Sequence, residues 1–96
     1  MSSRPRFLMI AFDVGDDRRR YRVVRALRDY GDRVQKSVFE CRLRPPERRA
    51  LLARLDRLID AETDRLHVFD LPDSYVARIE VLGVGEVTHE CGYLVI

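Results

Sequence analysis

The residue with the clearest capacity for chemistry is Asp13, a carboxylate that closes an apolar run. The run, Arg-Phe-Leu-Met-Ile-Ala-Phe-Asp-Val, covers residues 6–14 and is typical of a short strand that is central in a sheet or covered on both faces. A carboxylate at such a strand end lies at the sheet margin, where it is solvated or has a partner. Mg²⁺ commonly takes one or two carboxylates with waters and substrate phosphates, so Asp13 is a candidate metal ligand. The alternative is a turn or N-cap residue for a helix starting near Asp17.

A single carboxylate is too few for a metal site, so the role of Asp13 depends on a second donor. In a two-fold symmetric dimer, two copies of Asp13 could lie close enough together to bind one metal ion. Such carboxylates repel each other, and metal binding is therefore expected to weaken at low pH. Asp16 and Asp17 are expected to cap the following helix and complement its dipole, with an auxiliary metal role as the alternative.

Basic side chains are concentrated in the half of the chain that contains Asp13. Residues 1–50 carry 14 basic and 7 acidic side chains, a charge of +7, whereas residues 51–96 carry 4 and 9, a charge of −5. Arginines on the first predicted helix form either a solvated face or a phosphate-binding surface. These arginines are Arg18, Arg19, Arg20, Arg22, Arg25 and Arg28.

Other reactive side chains match no catalytic motif. Ser37 has no base near it in sequence and is interpreted as a turn residue. Phe39 is expected in the core, with base stacking as the alternative. His67 alternates with apolar neighbours, so we expect it to face solvent or to be structural. His89 and Cys91 form His-x-Cys, which lacks the second ligand pair of a zinc site.

The elements that must position these residues follow from hydrophobic spacing and turn residues. The first helix has Val23, Leu27 and Tyr30 on one stripe, which Tyr21 is expected to extend towards its start. The order is βαββαβ, which predicts an α+β, ferredoxin-like fold: an antiparallel sheet with two helices on one face. The predicted segments are strand 6–14, helix 17–30, strands 33–36 and 38–43, a helix from Pro45, loop 60–64, strand 66–71, a helical turn over 73–78 and strands 79–82 and 93–96. Lys36-Ser37 is either a tight connection or a bulge between the two short strands, and the sequence alone does not decide which.

The chain length predicts one domain with a tail. A chain of 96 residues suffices for one domain, which we assign to residues 1–83, with a hinge-like stretch over 84–92 within a C-terminal tail of residues 84–96. The strands at 79–82 and 93–96 are surplus to the βαββαβ core and would leave an exposed edge. We therefore expect a homodimer in which C-terminal strands cross over to the partner.

Composition excludes several classes of protein. Hydrophobic residues make up 46% and charged residues 35% of the chain, which is globular rather than disordered. No apolar run approaches the roughly 20 residues that span a bilayer, so no membrane contact is expected. The start is a poor secretory signal, and Cys41 and Cys91 form no disulfide framework. We expect a cytoplasmic protein with free thiols.

Nearly the whole chain resembles the CRISPR-associated Cas2 family, the small ferredoxin-like proteins of the spacer-acquisition module. The most specific match is Val-Gln-Lys-Ser-Val-Phe-Glu over residues 34–40. It is supported by Phe-Asp-Val-x-Asp-Asp-x-Arg from Phe12, by Asp-Tyr-Gly at the end of the first helix, and by Ile-Glu-Val-Leu-Gly over residues 79–83.

The resemblance implies a homodimer in which Asp13 of each protomer binds a shared Mg²⁺, or Mn²⁺ in its place. It implies an endonuclease, acting on RNA or double-stranded DNA, that works with the adaptation integrase. It also implies nucleic-acid-binding roles for Arg20, Arg22, Arg33 and Phe39, to which the adjacent cation of Lys36 is added. Many members have Tyr where Phe12 stands, which puts efficient catalysis in question.

Two functions are compatible with these features. In the first, metal-bound Asp13 activates water for attack on a phosphodiester while arginines hold the backbone. In the second, the dimer is a non-catalytic adaptor that presents its basic surface to duplex DNA and its C-terminal strands to the integrase. A generic RNA-binding domain ranks behind both, because the aromatic residues are expected mostly in the core.

Overall fold

The fold was obtained as a computed structural model, which describes residues 4–83, 86–89 and 92–95. The α+β, ferredoxin-like prediction is confirmed, because an antiparallel sheet in the order β2-β3-β1-β4 carries two long helices on one face. The elements are β1 (Arg6–Asp13), α1 (Asp17–Arg28), β2 (Gly31–Gln35), β3 (Val38–Leu43), α2 (Pro45–Leu58), β4 (Arg65–Leu71), a short α3 (Asp73–Val76), β5 (Glu86–His89) and β6 (Gly92–Val95).

The main core lies between the sheet and helices α1 and α2. Strand β1 contributes Leu8, Ile10 and Phe12 at alternate positions, and the helices contribute fully buried apolar residues such as Leu27 and Leu51. Because side chains alternate along a strand, the residues between them, including Asp13, belong to the other face of the sheet. We call this other face, opposite α1 and α2, the open face.

A smaller apolar cluster covers one end of the open face. Phe7 and Val76 are buried there, with Ile79 and Val81 packed against them. The prediction of a strand over residues 79–82 is wrong, because this segment is not paired with the sheet. It crosses the open face after α3 and contributes apolar side chains to the Phe7 cluster instead of backbone hydrogen bonds to a sheet edge.

The first helix has the predicted start but a narrower apolar stripe. Val23, Val24 and Leu27 are buried, whereas Tyr21 is exposed over 63% of its surface. The expectation that Tyr21 extends the apolar stripe is therefore wrong. The predicted connection at Lys36-Ser37 is confirmed as a turn between β2 and β3.

The C-terminal strands form their own antiparallel pair, in which Glu86 is opposite Val95 and His89 is opposite Gly92. The expectation of a hinge over 84–92 is therefore wrong for residues 86–89, which form β5. Cys91 and the last residue of the predicted strand 93–96 lie outside the described residues. The crossing of these strands into a partner chain stays a prediction, as does the division into residues 1–83 and 84–96.

Candidate metal site and nucleic-acid interface

Asp13 is the last residue of β1 and lies on the open face with its side chain exposed. It stands directly opposite Arg65 of β4 in the antiparallel register, an arrangement in which side chains on one face are neighbours. Within the part of the chain that the structure describes, no hydrogen bond or ion pair engages the Asp13 carboxylate. The carboxylate is therefore available to an external ligand.

Asp16, three residues further on, performs the capping role that was the alternative for Asp13. Its carboxylate accepts a hydrogen bond from the backbone N–H of Arg19 at 2.9 Å. That hydrogen bond holds the pKa of Asp16 below its ordinary value. Asp17 forms an ion pair with Arg20 on the same helix. The interpretation of Asp13 as the N-cap is therefore wrong.

The described residues of one chain do not assemble a metal site around Asp13. Among residues 4–83, 86–89 and 92–95, no group of three or more His, Cys, Asp or Glu side chains is placed to hold an ion. The donor chemistry of Asp13 nevertheless fits Mg²⁺, since carboxylate oxygen is a preferred ligand and waters complete the coordination. A second Asp13 from another chain could supply a further protein carboxylate.

A basic groove of about 550 Å³ lies between α1 and the β2–β3 turn. We call it the arginine groove. Three of the predicted nucleic-acid-binding residues, Arg20, Arg33 and Lys36, come together in its wall, whereas Arg22 lies in an adjoining groove of about 420 Å³. The full lining of the arginine groove is Asp17, Arg20, Tyr21, Val24, Arg25, Arg28, Asp29, Arg33 and Lys36.

Two of the arginines in this groove are held in place by backbone oxygens. Arg20 donates to the carbonyl of Val14 at 2.8 Å, and Arg33 donates twice to the carbonyl of Lys36, at 3.0 and 2.6 Å. A guanidinium has five donors, so each arginine keeps N–H groups for a phosphate. Their preset positions reduce the conformational entropy that binding would cost.

Phe39 is fully buried, so its ring cannot stack on a nucleic-acid base. The core interpretation of Phe39 is therefore confirmed and base stacking by its ring is ruled out, whereas its assignment to nucleic-acid binding stays a prediction. The Arg33 guanidinium lies over the Phe39 ring at 6.0 Å, so Phe39 supports an arginine of the groove from below. Phe12 packs against Phe39 at 6.2 Å between ring centres and belongs to the core face of β1, opposite the face that carries Asp13.

Asp13 and the arginine groove are on different sides of the sheet, joined by the β2–β3 turn. The backbone N–H of Phe12 donates to the carbonyl of Ser37 at 3.0 Å, which fixes the turn beside the end of β1. Lys36, in the same turn, lines the groove. A nucleic-acid backbone in the groove would therefore have to pass around this turn to reach Asp13.

A buried ion pair fixes the start of β4 against α1. Arg19 donates to both carboxylate oxygens of Asp64, at 2.9 and 3.3 Å, and the backbone N–H of Asp60 donates to the same carboxylate at 2.8 Å. These donors lower the pKa of Asp64 to about 2. Because Asp64 immediately precedes Arg65, the ion pair also fixes the residue opposite Asp13.

Sequence reasoning missed Arg65 and Tyr21 as members of these surfaces. Arg65 precedes a strand and carries no motif of its own, and only the β1–β4 register places it opposite Asp13. Tyr21 was assigned to the core from its spacing. A signal for Tyr21 was present, because Arg18, Arg22 and Arg25 surround it on the polar face of the helix.

The sequence profile of the family described as CRISPR associated protein Cas2 matches residues 6–79 of the chain. The chain belongs to this Cas2 family. The match covers the four-stranded sheet and all three helices, and therefore both Asp13 and the arginine groove.

Individual Cas2 proteins are similar over most of their length. The CRISPR-associated endoribonuclease Cas2 1 of Chloroflexus aurantiacus is 44% identical over 80 residues, which are 82% of this chain and 86% of that protein. The crystal structure of Streptococcus pyogenes Cas2 has a TM-score of 0.71 and 34% identity, covering 80% of this chain and 99% of that one. A chain of a partial Cas6-RT-Cas1–Cas2 complex has a TM-score of 0.68 and 30% identity, covering 80% of this chain and 84% of that one.

The described helices contain no segment that is both long and apolar enough to cross a membrane. The cytoplasmic location stays a prediction.

Proposed function

We propose that this Cas2 family member is a metal-dependent endonuclease of the CRISPR spacer-acquisition module, with Asp13 of two protomers at its centre. The observation that carries the proposal is an exposed carboxylate, without a partner among the described residues, at the end of the central strand. The similar Chloroflexus aurantiacus protein is named an endoribonuclease. The similar Cas1–Cas2 complex supports an adaptation integrase as the partner.

The open face offers a surface for the homodimer. Phe69 is exposed over 47% of its surface and pairs with Met9 in the β1–β4 register, so it stands on the open face. Phe69 and the partly buried Met9 beside it give this face apolar surface that a second protomer could cover. A two-fold axis through this face near the end of β1 would place the two Asp13 carboxylates close together.

Residues of this chain have distinct roles in the proposed reaction. Two Asp13 carboxylates would hold Mg²⁺ or Mn²⁺, which when bound supplies a Lewis acid and lowers the pKa of a bound water. Arg33 and Lys36 would bind phosphate oxygens along the approach to Asp13, and Arg65 would add positive charge beside it. These contacts orient the phosphodiester without reading its sequence.

The non-catalytic adaptor is a second candidate, favoured by the position of the groove. The arginine groove lies on the helix side of the sheet and Asp13 on the open face, so the groove could bind a DNA backbone that never approaches Asp13. In that case the basic surface of the dimer would bridge integrase dimers during spacer integration, and Asp13 would be dispensable.

The test compares wild type with Asp13→Ala, Asp13→Asn and the control Asp56→Ala. Asp56 is an exposed aspartate on α2, outside both proposed surfaces. Labelled single-stranded RNA, single-stranded DNA and duplex DNA are incubated with Mg²⁺, Mn²⁺ or EDTA across a range of pH. We expect cleavage only by wild type and Asp56→Ala, only with metal, and less at low pH. Metal-dependent cleavage by Asp13→Ala at the wild-type rate would contradict the nuclease proposal.

Subunit mixing tests whether two Asp13 residues share one site. Wild type and Asp13→Ala chains are co-refolded in equal amounts, and the dimer is verified by sedimentation equilibrium. Random pairing makes about one quarter of the dimers purely wild type. If both carboxylates are required, the cleavage rate should therefore fall to about one quarter of the rate of the same amount of wild-type dimer, whereas independent sites would leave about one half. If Asp13→Ala lacks cleavage but supports spacer acquisition in cells, the adaptor is the correct function.

A further inference from the structure

Tyr21 is a large aromatic side chain exposed in strongly basic surroundings. It stands on α1 with 63% of its surface exposed. It lines both the arginine groove and the adjoining groove, as do Asp17 and Arg25. The ring therefore stands between two neighbouring basic grooves.

The packing of the protein does not account for this position. Helix α1 is anchored by Val23, Val24, Ala26 and Leu27, which are buried without help from Tyr21. The one ring contact within the described residues is with Arg25, whose guanidinium carbon lies 5.9 Å from the ring centre. Such an exposed pair, four residues apart on a helix, stabilises the helix only slightly.

A second exposed tyrosine shows that exposure alone is not the distinguishing feature. Tyr75 on α3 is exposed over 59% of its surface. It is two residues from Asp73, which forms ion pairs with Arg4 and Arg42, and it lines neither basic groove. Of these two exposed tyrosines, Tyr21 is the one whose open ring is flanked by groove-lining arginines.

We propose that Tyr21 stacks on an unpaired base of a single-stranded nucleic acid whose phosphates are held by the adjacent arginines. Arg22 and Arg25, which line the adjoining groove with Tyr21, supply the cations, and the ring supplies a flat apolar surface that accepts any base. A duplex satisfies the charge of the groove but keeps its own bases stacked inside, so it gains nothing from Tyr21. The proposal rests on the proposed function only in taking a nucleic acid as the ligand; it requires no cleavage.

Binding in EDTA tests the proposal without catalysis. Anisotropy of a labelled 12-nucleotide oligo-U is measured with wild type, Tyr21→Ala, Tyr21→Phe and the control Tyr75→Ala. Stacking of one base corresponds to roughly 5- to 150-fold in affinity, so we expect a loss of that order for Tyr21→Ala. Tyr21→Phe and Tyr75→Ala should bind as wild type does, and melting curves check that every variant is folded.

Two further measurements separate stacking from charge. An oligonucleotide with abasic positions keeps every phosphate but lacks bases to stack. Wild type should bind it more weakly than the intact oligonucleotide, whereas Tyr21→Ala should bind both equally well. The slope of affinity against salt concentration should be unchanged in Tyr21→Ala, whereas Arg25→Ala should lower it by about 0.7 for one lost phosphate contact.

The same titrations are made with a labelled duplex of 12 base pairs. An equal loss of affinity for the single strand and the duplex in Tyr21→Ala would overturn the proposal, as would an unchanged affinity for both. These outcomes are independent of the nuclease test. If Asp13→Ala is inactive and Tyr21→Ala loses affinity for single strands, both proposals are supported. If Tyr21→Ala loses that affinity but cleavage does not need Asp13, stacking is supported and the Asp13 site is contradicted.

Discussion

Gly31, at the start of β2, has no room for a side chain. We predict that the close approach of β2 to β3 at this residue keeps one wall of the arginine groove in position. A Cβ atom added at Gly31 would lie 2.3 Å from the carbonyl oxygen of Glu40 and 2.5 Å from the sulfur of Cys41. Carbon and oxygen atoms of adjacent strands make contact at about 3.3 Å. Because the nearer atom belongs to the backbone, Gly31→Ala must push β2 away from β3 by about 1 Å.

This displacement has a cost in stability and a cost in binding. Overpacking of this kind lowers the free energy of unfolding by about 1–3 kcal/mol. With a denaturant slope near 1 kcal/mol/M for a protein of this size, the urea midpoint should fall by about 1–3 M. Strand β2 also carries Arg33, whose guanidinium lines the groove, so oligonucleotide affinity should fall as well.

Gly15→Ala is the matched control. A Cβ atom at Gly15 meets nothing within 4 Å, and Gly15 does not have a positive φ. The same substitution there should be neutral or should stabilise by about 0.4–1 kcal/mol, through the unfolded chain. Both variants are unfolded in urea at one protein concentration, with circular dichroism as the signal. If Gly31→Ala proves as stable as Gly15→Ala, the close approach of β2 to β3 is refuted.

Two further predictions concern buried titratable groups. Arg19 holds the pKa of Asp64 at about 2, below the ordinary 3.8. The ionised Asp64 therefore stabilises the folded protein above pH 3.8, and this contribution is lost as the pH falls towards 2. In urea titrations, Asp64→Asn should therefore be less stable than wild type at pH 7 and should lose less stability than wild type as the pH falls from 3.8 towards 2. An equal loss of stability in both proteins would contradict this prediction. Burial raises the pKa of Cys41 to about 12, so in a Cys91→Ser background a disulfide reagent at pH 8 should react with Cys41 only as fast as the protein unfolds. Rapid stoichiometric labelling of the native protein would show that the thiol is accessible.

The strands and helices of the fold were predictable because each has a local signal. The apolar run 6–14 and the prolines at Pro45-Pro46 were located from sequence alone, whereas at Lys36-Ser37 the sequence left a tight connection and a bulge as alternatives. Residues 79–82 were misassigned because their apolar alternation satisfies a strand and an overlying segment equally well. Only the tertiary position of Phe7, which these residues cover, decides between the two.

The candidate site was less predictable than the fold because its geometry depends on pairing across the sheet. Asp13 was identified from its place at the end of a strand, but Arg65 becomes its neighbour only through the β1–β4 register. Phe39 was expected in the core with base stacking as the alternative, and its burial decides for the core. Tyr21 was misassigned because helical spacing does not reveal how wide a buried stripe will be.

The ion pairs of the N-terminal half strengthen the case for Asp13 as a ligand. Asp16 caps α1, Asp17 pairs with Arg20 and Asp29 pairs with Arg54 at 2.8 Å. Each of these carboxylates neutralises or orders a group within its own chain. Asp13 has Arg65 opposite it in the sheet and yet forms no ion pair with it among the described residues. A carboxylate held by a central strand and left unpaired beside a cation is free to accept a ligand from outside the chain, and the proposed metal ion shared with a second Asp13 would meet both its charge and its position at the sheet margin.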